Sequence, residues 1–134
     1  MRSSLLTLSI VLLLCSCGED HHHDHGDLDA ASVPGLTLND GKKWQMDDHT
    51  REMFAAMATR TSEHKGELKK LGEGLEEDLD KLVRGCTMVG GAHDELHRFL
   101  IHYVPAVSKL ENTGSMEALT RVKMLLQAYP EYFE

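Results

Sequence analysis

Apolar residues recur every three or four positions along most of the chain after residue 44, a spacing that predicts amphipathic α-helices. Four such segments can be delimited, at about residues 45–61, 63–83, 92–110 and 116–129. No stretch of useful length alternates apolar and polar residues with the period of a β-strand. Because the connections are short, we expect an all-α domain folded as an antiparallel four-helix bundle.

Local signals mark where these helices begin, bend and end. Ser115 is a suitable N-cap for the fourth helix, and Pro130 is expected to end it. Pro105 lies inside the third helix and is expected to kink it. The second helix carries its apolar stripe on five leucines, with charged residues on the opposite face: Leu68, Leu71, Leu75, Leu79 and Leu82.

The N-terminus differs sharply from this pattern. Residues 5–14 form an almost wholly apolar run after one positive charge, which is too short to span a bilayer and has the length of a signal-peptide core. It ends Leu14-Cys15-Ser16-Cys17, which resembles the lipobox of bacterial lipoproteins. The resemblance implies a signal peptide over residues 1–16 and lipidation of Cys17. The mature chain would then lie in the cell envelope, held to the outer membrane or the periplasmic face by a lipid anchor.

Residues 17–43 are rich in charged and turn-forming residues, and we expect a flexible, disordered tether before a bundle domain over residues 44–134. This tether contains many imidazole and carboxylate groups, which can bind zinc, copper or nickel ions without being held in a fixed geometry. The alternative is a solvated spacer that binds nothing. The histidines of this tract are His21, His22, His23 and His25.

The net charge limits which classes of partner are expected, and the cysteine content limits the state of the thiol that remains. The formal net charge is −8, and no basic run is available to bind phosphates, so nucleic acid is excluded as an expected partner. Removal of the signal peptide and lipidation of Cys17 leave Cys86 as the one free thiol. Outside the cytoplasm such a thiol must be buried, metal-bound or reactive.

Residues 86–97, CTMVGGAHDELH, bring metal-ligand residue types together. His93 and His97 are four apart and so share one helix face, while Cys86 and Met88 precede them on a glycine-rich loop. His49, on the expected core face of the first helix, is a further candidate. Each of these residues could instead be ordinary packing, since methionines at helical spacing are usually core filler.

The segments 38–44 and 86–97 resemble a group of small bacterial envelope proteins that share a C-T-M, glycine, H-x-x-L-H order. The resemblance implies a helical extracytoplasmic domain and no particular activity. We therefore expect a lipid-anchored metal-binding protein, a copper or zinc buffer, sensor or delivery partner, and not an enzyme. The alternatives are an envelope interaction module that docks on another envelope protein, or an enzyme with Cys86 as a nucleophile assisted by His93.

Overall fold

A computed structural model describes residues 32–134 of the chain. It contains four helices: α1 (Asp48–Glu63), α2 (Leu68–Gly85), α3 (Gly91–Thr113) and α4 (Met116–Tyr132). Within residues 32–134 there is no β-strand, and only isolated bridges occur. The prediction of an all-α, four-helix bundle is confirmed. The expected signal peptide, Cys17 and the tract histidines lie outside the described residues.

Side chains and turns cap the helices as local chemistry dictates. Asp47 accepts the backbone N–H of Thr50 at the start of α1, at 2.8 Å. Ser115 accepts the N–H of Ala118 at the start of α4, at 3.2 Å, as predicted. Gly114 ends α3 with φ of 60°, a left-handed conformation that glycine adopts without strain.

The prediction that Pro130 ends α4 is wrong, because the helix continues to Tyr132. Proline removes one N–H from the helix, but tertiary hydrogen bonds stabilise the turn that follows. Trp44 donates its N–H to the carbonyl of Tyr132 at 2.7 Å, and its carbonyl accepts the N–H of Glu134 at 2.9 Å. α3 likewise continues through Pro105.

The core combines the leucine stripe of α2 with an aromatic cluster from the other helices. Phe54 of α1 stacks on Tyr129 of α4, with ring centroids 3.9 Å apart. Phe99 of α3 meets Phe54 edge-on at 5.6 Å and stacks near Tyr103 at 5.7 Å. These large rings supply much of the apolar area that the small domain buries.

The boundary between tether and domain lies earlier than predicted. Residues 33–46, here called the N-terminal strap, pack on α3 and on the end of α4. The N–H of Val33 donates to the Tyr132 hydroxyl at 3.3 Å, and His102 Nε2 lies 2.8 Å from the Pro34 carbonyl oxygen. The polar composition of residues 17–43 did not predict this packing. A few anchoring residues are enough to hold an otherwise polar segment against the helices. His102 is one of these anchors.

Within residues 32–134, no helix combines the length and the apolar character that crossing a membrane requires.

Candidate metal centre

The candidate site lies where α2 ends and α3 begins. Cys86 is the C-terminal cap of α2, and a short loop leads from it to Gly90, whose φ of 78° favours glycine. His93 and His97 occupy the first two turns of α3. The loop therefore folds the cysteine back alongside the histidine pair.

The three side chains form a chain of close contacts. Cys86 Sγ lies 3.6 Å from Nδ1 of His93. The other ring nitrogen of His93, Nε2, lies 2.9 Å from Nε2 of His97. His93 is thus the middle member and uses a different nitrogen toward each neighbour.

The two distances have different meanings. A tetrahedral zinc ion with ordinary bond lengths holds a sulfur and a nitrogen about 3.5 Å apart, close to the Cys86–His93 separation. It holds two nitrogens about 3.3–3.4 Å apart, whereas 2.9 Å is the usual length of a direct hydrogen bond. The Cys86–His93 separation suits either an S–H···N hydrogen bond or two ligands of one ion, whereas the two histidines lie at hydrogen-bond distance. His97 is placed to accept the Nε2–H of His93, an outer contact that orients a ligating imidazole.

A small cavity of about 120 Å³ surrounds these atoms. Cys86 and His93 are half-buried, and His97 is exposed at the rim. The rest of the lining is apolar and comes from α2 and α3: Leu82, Val83, Leu96 and Leu100. Apolar walls of this kind limit the access of water to a metal–thiolate bond.

The cavity brings together only a small number of possible metal donors. Among residues 32–134, no group of three or more His, Cys, Asp or Glu side chains is arranged to hold a metal ion. The structure thus presents a two-donor pair with a supporting histidine, and not a closed four-ligand site. The same Cys86–His93 contact would also suit a thiol and its general base.

Met88 and His49 do not line this cavity. Met88 Sδ accepts a hydrogen bond from the Thr50 hydroxyl at 3.4 Å, on the α1 side of the loop. His49 Nε2 lies 3.2 Å from the Lys81 carbonyl oxygen. Its ring packs against Gly85, where an added Cβ would lie 2.3 Å from Nε2. Both side chains therefore tie α1 to the end of α2.

Sequence reasoning missed two buried carboxylates. Glu95 is fully buried, pairs with Arg98 and accepts the N–H of Thr37 from the N-terminal strap. Asp78 is also buried and pairs with Arg60 and Lys81, at 2.7 and 3.2 Å. A signal existed, since each acidic residue interrupts an apolar stripe at helical spacing. Glu95 stands four residues before Phe99, and Asp78 stands three residues after Leu75.

The ionisation of Asp78 follows from its neighbours. Burial raises the pKa of this carboxyl, but hydrogen bonds and charge from Arg60 and Lys81 outweigh burial and hold the pKa below its usual value. Glu76, two residues before Asp78 in α2, behaves in the opposite way. Burial and the negative charges of Glu111 and Asp80 raise its pKa.

The fold thus brings the thiol of Cys86 and the imidazole of His93 into contact, with His97 beside them. No protein-family model, curated protein or solved structure matches the chain.

Proposed function

We propose that this chain is a lipid-anchored, extracytoplasmic metal-binding protein that buffers, senses or delivers copper or zinc and has no catalytic activity of its own. The observation that carries the proposal is the 3.6 Å separation of Cys86 Sγ and His93 Nδ1 in a cavity shared with His97. This is the spacing that one ion would impose on the two atoms.

Each residue has a distinct role in the proposed site. Cys86 loses its proton and binds as a thiolate, since the thiolate is the ligand form. His93 binds through Nδ1 and donates its Nε2–H to His97. A thiolate with an imidazole suits zinc and also Cu(I), for which soft sulfur ligands select.

A site with two donors is better suited to buffering or delivering a metal ion than to holding it permanently. Closed structural zinc sites use four protein ligands. A two-donor pair leaves coordination positions for another molecule, from which the ion can arrive or to which it can pass. The tract histidines, 21–23 and 25, would serve as a second, less specific capture site near the membrane anchor at Cys17.

A metal titration on residues 18–134 tests this function. Residues 18–134, with the four tract histidines replaced by alanine, are titrated with Zn(II) and Cu(I) against a chromophoric chelator under reducing conditions. We expect saturable binding, with a gain of about 2.7 kcal/mol in unfolding free energy when free metal is a hundred times the dissociation constant. Cys86→Ser and His93→Ala should each weaken binding more than tenfold.

The control is His64→Ala, just before the opposite end of α2, where His64 Nε2 lies 3.0 Å from the Glu67 carbonyl oxygen. This variant should bind metal as the parent does. Met88→Leu should also retain binding, because the Met88 sulfur faces Thr50. Binding that survives both Cys86→Ser and His93→Ala would contradict the proposed site.

A further inference from the structure

The pair formed by Cys86 and His93 supplies half of the ligands that a tetrahedral ion requires. We propose that two copies of this chain share one metal ion, each contributing Cys86 Sγ and His93 Nδ1. The inference rests on the proposed function and specifies its partner. The completed site would hold two thiolates and two imidazoles.

Symmetry makes a second copy the simplest source of the missing ligands. In a two-fold dimer the same surface meets itself, so any donor pair on the axis is duplicated. The donor pair lies where α2 connects to α3, in a cavity whose lining includes the exposed His97. Placed on a two-fold axis, the ion would receive equivalent ligands from both sides.

The surface beside the donor pair is suited to self-association. Val83 is 65% exposed and lies three residues before Cys86, and Ile101 is 69% exposed and lies four residues after His97. Val104, at 39% exposure, follows on the same side of α3. These three side chains, the rim patch, are apolar and open to solvent, so a second copy could cover them at the same contact.

Charge explains why the ion would be needed. The chain has a formal net charge of −8, so two copies repel one another at long range. Two thiolates cancel the charge of a divalent ion, so the bonds from the ion to both donor pairs, and not a change in net charge, would hold the two copies together against this repulsion. The dimer should therefore form with metal, dissociate when the metal is removed, and strengthen with moderate salt, which screens the remaining charge.

Residues 18–134, which omit the expected signal peptide and lipidated Cys17, provide the test once the tract histidines are replaced by alanine. The mass of this chain is measured by sedimentation velocity with and without Zn(II) under reducing conditions, together with the zinc bound per chain. We expect a monomer without zinc and a dimer with one zinc per two chains. A chelator should restore the monomer.

Substitutions distinguish the contribution of the ion to dimerisation from that of the apolar contact. Cys86→Ser should abolish both zinc binding and dimerisation. Ile101→Asp, in the rim patch, should raise the dimer dissociation constant at least tenfold while monomeric chains still bind zinc. Met116→Asp is the matched control, because Met116 is equally exposed, at 66%, but lies at the start of α4. It should leave the dimer unchanged.

The outcomes distinguish this inference from the function on which it rests. One zinc bound per monomeric chain would overturn the shared site and leave the proposed function intact. A dimer that forms equally without zinc would also overturn it. A chain that binds no zinc or copper at all would contradict the proposed function itself, and the shared site with it.

Discussion

Gly72 of α2 packs directly on the backbone of Glu111 of α3. A Cβ added to Gly72 would lie 2.3 Å from the Glu111 nitrogen and 2.4 Å from its Cα. Backbone atoms in a helix have little freedom to move aside, so only glycine permits this close approach of the two helices.

Gly72→Ala should therefore destabilise the domain by about 1–3 kcal/mol through overpacking, although alanine gains about 1 kcal/mol of helix propensity. Urea unfolding followed by circular dichroism measures the change. Gly74→Ala is the matched control in the same helix, where the nearest atoms belong to the flexible side chain of Arg60. Its effect should stay within about 1 kcal/mol; equal losses in the two variants would refute the close-approach argument.

The strap should detach when Glu95 is truncated. Glu95→Ala removes the acceptor of the Thr37 N–H, so we expect a loss of about 2–3 kcal/mol and faster hydrogen exchange at Thr37. Trp44, the only tryptophan of the chain, donates its indole N–H to the Thr37 carbonyl at 2.7 Å. Its fluorescence should shift to the red. Asp94→Ala, an exposed change one residue away, should alter neither signal.

The pH dependence of stability should reflect Asp78. Its pKa is lowered in the folded state by the hydrogen bonds and charges of Arg60 and Lys81, which outweigh burial. Its contribution is therefore complete above the unfolded value of about 3.9 and disappears as pH falls through the lower, folded value. Asp78→Asn should lower the unfolding free energy by about 1–3 kcal/mol at pH 7, and by less in strong acid.

The ionised carboxylate of Glu76 should lower the free energy of unfolding at neutral pH, whereas that of Asp78 raises it. Burial and the charges of Glu111 and Asp80 raise its pKa, so the ionised group opposes folding at neutral pH. Glu76→Gln should stabilise the domain at pH 7, and the gain should vanish as pH falls below the unfolded value of about 4.3. Denaturant titrations across pH would measure both variants. Parallel pH profiles for the two would contradict the assigned pKa directions.

The reactivity of Cys86 distinguishes metal binding from the enzyme alternative. Iodoacetamide should label the metal-free thiol at a measurable rate, because the side chain is only half-buried. Saturating Zn(II) should slow labelling at least tenfold, since a metal-bound sulfur is not free to attack. Fast labelling that Zn(II) leaves unchanged would favour Cys86 as a nucleophile assisted by His93.

Membrane attachment depends on the N-terminal cysteine in the proposed anchor. Cys17→Ser should abolish lipidation and leave unprocessed precursor, detected by fractionation and mass spectrometry. Cys15→Ser is the matched control, because Cys15 lies within the segment expected to be removed. Normal processing and membrane recovery of the Cys17→Ser chain would refute the lipobox assignment.

The sequence by itself determined the features that depend on neighbours along the chain. Helical spacing, the Ser115 cap and the placement of His93 and His97 on one face all follow from local periodicity and local hydrogen bonds. Four helices and their order could therefore be predicted, with helix ends displaced by a few residues.

The tertiary structure decided what depends on contacts between distant residues. Trp44 bonded to Tyr132 carries α4 past Pro130, and buried Glu95 draws the strap onto α3. Contacts between distant residues also determine which of the candidate ligands lie together. Cys86 meets His93 because the loop turns toward α3, whereas Met88 and His49 face the junction of α1 and α2. Residue type and spacing specify which groups can bind a metal, but only the path of the backbone between helices decides which of them meet.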